Sequence, residues 1–191
     1  GGSDVGQTST IARLENGKYK LSGTKWFTSA TTSEMAMTLA RIEGQPEGSK
    51  GLSLFFLELR DAEKNLNHIF IQRLKNKMGT KALPTAELVL QGTEAELVGG
   101  EGHGVRKIAS LFNITRVWNA CTAASYMRRG MVLAKDFAEK RYAFGKYLKD
   151  QSLHVETLAA MQVELDAAFL LVMRISELLG RDETKEASTE E

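Results

Sequence analysis

Few side chains in this sequence have types and spacing that suggest chemistry, and they fall into three groups. Gly99-Gly100-Glu101-Gly102-His103-Gly104 stands at the mouth of a long helical pattern, where free backbone N–H groups can cradle a phosphate. The run lacks the Gly-Lys-Ser/Thr of a P-loop and has no repeated strand–helix units around it, so a simple strand-to-helix connection is the plainer reading. Trp26 and Thr28 stand two apart on a predicted strand and so project from one face. An aromatic plane beside a hydroxyl suits a flat heterocycle; taken alone, a core Trp beside a satisfied Thr explains the pair more simply. Thr115 and Arg116 interrupt an otherwise apolar helix. A buried guanidinium keeps its charge and must meet an anion or strong acceptors, and a packing carboxylate meets that need as well as a ligand does.

Other chemistries find little support. His68, His103 and His154 are far apart and lack metal-ligand spacing, so they read as surface or packing residues and no metal is expected. No Ser/His/Asp or Cys/His pairing stands out. Cys121 is the sole cysteine, which excludes an intrachain disulfide and favours a reducing, intracellular compartment; it reads as a small buried hydrophobe. Asn113-Ile114-Thr115 matches a glycosylation sequon, but inside a helix that match is chance. A net charge of +1 gives no drive toward nucleic acid or anionic membranes. The longest apolar run, residues 167–173, falls far short of the roughly 20 residues that span a bilayer.

The elements that must position these residues change period partway along. Residues 8–14 and 18–25 read as strands joined by Glu15-Asn16-Gly17, a tight hairpin signal, and 23–29, 35–42, 52–59, 69–74 and 87–90 follow as further strands. Residues 44–51, with Pro46, Gly48 and Ser49, make a loop. Strands joined by short turns, without intervening helices, argue for an antiparallel barrel or sandwich over residues 1–99. From Val105 to Lys140 the apolar residues recur at helical spacing, nearly continuously through Ile108, Leu111, Phe112, Ile114, Val117, Trp118, Cys121 and Ala124. Gly145 reads as a stop, residues 152–179 as a second long helix, and 181–191 as a frayed end or loop. Both helices are too apolar to pair only with each other. The opening Gly1-Gly2-Ser3-Asp4, without an initiator Met, reads as cut from a longer chain.

The order of seven landmarks is more specific than any one of them. Gly-Gly-Ser-Asp-Val (1–5), Gly-Thr-Lys-Trp-Phe-Thr-Ser (23–29), Arg-Leu-Lys-Asn-Lys-Met-Gly (73–79), Gly-Glu-Gly-His-Gly-Val (100–105), Ile-Thr-Arg (114–116), Lys-Arg-Tyr-Ala-Phe-Gly (140–145) and Leu-x-x-Met (158–161) follow one another through nearly the whole chain. In this order and spacing they resemble the acyl-CoA dehydrogenase flavoproteins, and most closely the alkylation-response branch. The resemblance implies an α+β chain: an antiparallel β-barrel middle domain at 1–99, then the first two helices of a C-terminal helical bundle at 100–191, which serves FAD binding and oligomerisation.

What the resemblance implies for chemistry follows position by position. Ser3 contacts both FAD and the acyl-CoA. Trp26, Phe27 and Thr28 lie along the flavin, with the Thr28 hydroxyl near the ring nitrogen that receives hydride. Asn113, Ile114, Thr115 and Arg116 line the acyl-CoA site, and Arg116 sits near the catalytic base. Arg141 reaches the FAD diphosphate of a neighbouring subunit, with Phe144, Gln151 and Ser152 adding contacts across that interface. No catalytic residue is expected within these 191 residues, because the proton-abstracting Glu belongs to a later helix. The implied activity is FAD-dependent α,β-dehydrogenation of a fatty acyl-CoA by a dimer or tetramer, with an electron-transfer flavoprotein as acceptor and this segment alone inactive. An acyl-CoA oxidase-like or nitroalkane-oxidising flavoenzyme, or a protective flavin-binding protein, are the alternatives. Departures from the pattern are Lys81 where Arg is usual, Tyr147 where Pro is common, and Ser152 where Gln is usual.

Overall fold

A computed structural model describes residues 3–29 and 31–185; the Gly1-Gly2 opening and the end of the expected tail lie outside the described residues. The chain divides into two compact units, Gly1–Ser110 and Leu111–Glu191.

The first unit is built from six strands: β1 (Ile11–Glu15), β2 (Lys18–Thr28), β3 (Met35–Ile42), β4 (Leu52–Glu58), β5 (Ile69–Leu74) and β6 (Ala86–Val98). β1 and β2 form the expected hairpin, with Glu15 facing Lys18 and a two-residue turn in which Asn16 and Gly17 have φ of 52° and 80°. Those positive angles match the turn to the twist of the strands, and Asn and Gly adopt them at least cost. The strands pair in the order β2-β1-β3-β4-β6, and β6 pairs back to β2, so the pairings close a ring to which β5 adds along β6. One pairing departs from the expected antiparallel pattern: β1 and β3 run parallel. Alternation fills the interior with Leu21, Ala40, Phe55, Leu57, Leu88 and Leu90, all buried. Tyr19 meets Phe55 edge to face, with ring centroids 5.2 Å apart.

The helical pattern becomes α1 (Gly104–Lys140), whose first residues belong to the first unit, and α2 (Ser152–Thr184). The expected stop at Gly145 is wrong by a few residues. α1 ends at Lys140, and Phe144 (φ 54°) and Gly145 (φ 81°) instead turn a short hairpin of β7 (Tyr142–Ala143) and β8 (Lys146–Tyr147). The second helix runs through Thr184, so residues 181–184 are helical rather than looped; Lys185, in the left-handed region, caps the end. In the second unit Ala124, Met131, Ala138 and Leu165 are buried, and Lys135 Nζ donates to Gln162 Oε1 at 2.8 Å to tie α1 to α2. No helix among the described residues is long and apolar enough to cross a membrane.

Candidate functional site

The glycine run of residues 99–104 connects β6 to α1. Two of its amides are engaged inward: Gly102 N–H donates to Ser53 Oγ at 2.8 Å and His103 N–H to the Lys50 carbonyl at 3.2 Å. Its carbonyls face a cation, since Lys107 Nζ donates to Gly100 O at 2.6 Å and Gly102 O at 2.9 Å.

Ser3 is exposed, just ahead of a 3-10 turn at Val5–Gln7. That turn is held by Arg41, whose guanidinium donates to the carbonyls of Gly6 at 3.2 Å, Gly48 at 3.1 Å and Pro46. No hydrogen bond joins Ser3 to Trp26, Phe27 or Thr28 among the described residues.

The best-defined polar cluster surrounds Glu87, at the meeting of two β-bulges. Lys25 pairs with Leu88 and Thr28 with Ala86, so Trp26 and Phe27 together oppose Glu87. On the other side Ile71 pairs with Leu88 and Arg73 with Glu87, leaving Gln72 as the extra residue. The first bulge overturns the expectation that Trp26 and Thr28 share a face. Thr28 returns to the face of Lys25, half-buried, whereas Trp26 and Phe27 are 56% and 65% exposed. Two consecutive aromatic rings are thereby presented together, an arrangement that regular alternation forbids.

Glu87 is 4% exposed and must be paired. Arg73 Nε and Lys75 Nζ both donate to its Oε1, at 2.7 and 2.6 Å. The Lys75 hydrogen bond holds this carboxyl below the ordinary carboxylate range, with burial opposing and Arg73 assisting. Lys75 Nζ also lies 3.6 Å from the centroid of the Trp26 ring and 4.5 Å from that of Phe27, and the Arg73 guanidinium lies 5.9 Å from Trp26. Contacts of this kind contribute about 0.5–2 kcal/mol each, more where water is excluded. Arg73 and Lys75 fall in the 73–79 landmark, but no site role is read from sequence for them or for Glu87. The available signal was a carboxylate inside the apolar run Ala86-Glu87-Leu88-Val89-Leu90, which has to find a cation.

In the second unit, Asn113, Ile114, Thr115 and Arg116 sit together on α1, all exposed. The expectation of a buried Arg116 is therefore corrected: it has no ion-pair partner among the described residues, and the apolar positions around it, Leu111, Phe112, Ile114 and Trp118, are exposed as well. The Thr115 hydroxyl donates to its own helix, at Phe112 O, 2.9 Å away. Cys121 is half-buried, not buried, and lines an apolar cleft of about 540 Å³ with Met131, Leu165 and Phe169.

Arg141, Phe144, Gln151 and Ser152 are brought together by the β7–β8 hairpin. Leu148 N–H donates to the Arg141 carbonyl at 3.0 Å, and Gln151 Nε2 to the Ala143 carbonyl at 3.1 Å, which fixes the hairpin to the start of α2 at Ser152. The Arg141 guanidinium is exposed and unpaired among the described residues, and Phe144 is 96% exposed at the hairpin tip.

Residues 1–93 match the model of the acyl-CoA dehydrogenase middle domain, and residues 102–190 that of the acyl-CoA dehydrogenase C-terminal domain. Among curated relatives, acyl-CoA dehydrogenase family member 11 of Caenorhabditis elegans is 47% identical over 98% of this chain, which spans 31% of that protein. Escherichia coli AidB is 35% identical over 95% of the chain, which spans 32% of it. Among solved structures, the apo form of Bd2924 aligns with TM-score 0.93 and 53% identity, over 99% of this chain and 39% of that one. Caenorhabditis elegans ACDH-11 in complex with C11-CoA aligns with TM-score 0.92 and 47% identity, over 99% and 33%. An acyl-CoA dehydrogenase of Bacillus anthracis complexed with FAD gives 0.81 and 25%, over 100% and 32%. The chain thus spans about a third of the length of these two curated relatives.

Proposed function

Because this chain belongs to the acyl-CoA dehydrogenase family, matching its middle domain over residues 1–93 and its C-terminal domain over residues 102–190, we propose that the protein oxidises a fatty acyl-CoA at its α,β bond with FAD. A fatty acyl-CoA as substrate is supported by the likeness to ACDH-11, solved with C11-CoA, and FAD by the likeness to the Bacillus anthracis enzyme complexed with it. When bound, FAD supplies the two-electron acceptor.

The residues present fit such a group. Trp26 and Phe27 offer exposed aromatic surface of the kind a planar ring packs on, with the Thr28 hydroxyl as a nearby polar group. Arg141 holds out an unpaired guanidinium fork, suited to paired phosphate oxygens, and Phe144, Gln151 and Ser152 complete that contact. Ser3 and the α1 segment Asn113 to Arg116 serve the acyl-CoA. Arg116 supplies a fixed positive charge beside it, a group that orients substrate and stabilises developing negative charge without moving a proton. The residue that takes the α-proton is assigned to a glutamate outside these 191 residues. Assembly into a homo-oligomer, with Arg141 serving a neighbour's cofactor, and an electron-transfer flavoprotein as acceptor, belong to the same reading, as does an intracellular location.

The observation that carries the flavin part is the bulge that turns two consecutive aromatic rings outward over one buried ion-pair cluster. FAD titration of the deflavinated protein tests it. Trp26→Ala is expected to raise the dissociation constant about tenfold, the loss of a stacked aromatic contact of roughly 1.4 kcal/mol. Equal constants for variant and parent would remove Trp26 from the flavin site.

A further inference from the structure

We infer that Lys75 is a positioning residue: anchored on Glu87, its ammonium fixes the Trp26 and Phe27 rings in the attitude in which they meet the flavin, an inference that rests on the flavin reading above. Three features of the cluster lead there.

The first is an inversion of the usual burial. Lysine normally lays its stem along apolar surface and sends the ammonium to water. Here the Lys75 side chain is only 10% exposed, while the aromatic rings it meets stand out into solvent. The charge lies beneath the rings, where it supports them from the protein side and leaves their outer surface available.

The second is a surplus of charge. Buried Glu87 needs one cation, and Arg73 Nε already supplies one at 2.7 Å on Oε1. Lys75 brings a second to the same oxygen at 2.6 Å. One carboxylate beneath two cations leaves a net positive charge, which the electron-rich faces of Trp26 and Phe27 accept at 3.6 and 4.5 Å. Neutralising Glu87 does not account for Lys75; supporting the rings does.

The third is that no other ring or cation meets them among the described residues. Both rings sit on a bulge, outside the regular packing of the sheet, and neither stacks on another ring among the described residues. Among the described residues, only the two cations of the cluster lie over the Trp26 ring, and Lys75 alone lies over that of Phe27. Lys75 itself is located by its backbone, whose N–H donates to the Thr85 carbonyl at 2.7 Å and extends the β5–β6 pairing past the second bulge. The cation is thus built into the sheet, and the rings rest on it.

The test uses the protein at its full natural length in a background where Trp118 and every tryptophan outside these 191 residues are replaced by Phe, which leaves Trp26 the only indole. Two quantities are read on the deflavinated protein: acrylamide quenching of Trp26 emission, which reports how freely the ring is approached, and the FAD dissociation constant. Lys75→Met keeps the stem and removes the charge. It is expected to raise the quenching constant about twofold and the dissociation constant about tenfold. Lys75→Arg, which keeps the cation, is expected to restore both. Should Lys75→Met fail to fold, Lys75→Gln carries the same two expectations. A lowered thermal midpoint with quenching and FAD affinity unchanged means that Lys75 only stabilises the sheet, and overturns the inference while the flavin reading stands. If Trp26→Ala does not alter FAD affinity, the flavin reading itself fails and the inference falls with it, whatever the quenching shows.

Discussion

Lys25 carries its ammonium into the strand ring and donates to the Leu39 carbonyl at 2.6 Å, with no carboxylate beside it. Burial pushes its pKa down from 10.5 to about 8. Below that value folded and unfolded chains both hold the proton, and folding buries a charge. Between about 8 and 10.5 the folded chain releases the proton while the unfolded chain keeps it, so the parent gains stability as pH rises through this window. The unfolding free energy of Lys25→Met relative to the parent should therefore fall by roughly 1–3 kcal/mol across that range, and denaturant titrations at several pH values would show it. A difference independent of pH would mean that Lys25 is solvated. Two exposed arginines of the second unit, Arg116 and Arg141, should separate by function. Arg141→Ala is expected to weaken FAD about tenfold or more, whereas Arg116→Ala should slow flavin reduction by acyl-CoA more than it weakens flavin retention. Flavin-to-protein ratios and reduction rates for both variants check this, and the reverse pattern would exchange their roles. At this scale the sequence was partly legible. Trp26 and Arg116 stand out by type, whereas Phe27 and Arg141 come only from the family resemblance; Arg116 reads as buried because its neighbours Leu111, Phe112 and Ile114 are apolar. In the structure those neighbours are exposed too. Apolar spacing reports what a helix face is suited to bury, not what covers it within one chain.

Among the elements, the strands and helices were legible where alternation or helical spacing ran unbroken; β3 and β5 begin and end where their patterns do. The bulges were not. Trp26-Phe27-Thr28 reads as plain alternation, and the two-against-one pairing opposite Glu87 depends on the register of β6, a strand some 60 residues away in sequence. The start of α1 is another long-range constraint. A Cβ on Gly104 would lie 2.6 Å from the Ser53 carbonyl carbon and 2.7 Å from the Leu54 nitrogen, both backbone atoms of β4. Glycine is required there by close approach of helix to strand, and not by its dihedral angles. Gly104→Ala must push the helix start off β4 and is expected to cost about 1–3 kcal/mol, read as a lower thermal midpoint with secondary structure retained. An unchanged midpoint would show that the two elements separate freely. The hairpin after α1 shows the opposite case: Gly145 was correctly marked as punctuation but given the wrong task, because a left-handed glycine serves a helix cap and a tight β-turn equally well.

For the whole molecule, each unit carries its own share of the expected functional residues: Ser3, Trp26, Phe27 and Thr28 in the first, where the unexpected Lys75–Glu87 pair joins them, and the α1 segment and β7–β8 hairpin in the second. The family was legible because its landmarks are spread through both and keep their order. The substrate, the acceptor and the state of assembly were not, because none is written in a single short motif. The central claim, that the protein removes two hydrogens from a fatty acyl-CoA and passes them to FAD, is tested most directly by one anaerobic experiment on the FAD-saturated protein at its full natural length. Fatty acyl-CoAs of short, medium and long chain are mixed with it in turn while the visible absorption band of oxidised flavin is followed and the thioester product is analysed. The account predicts that at least one chain length bleaches the band and yields an enoyl-CoA in proportion to the flavin reduced. A band that stays unbleached with every chain length, while FAD remains bound, would contradict it.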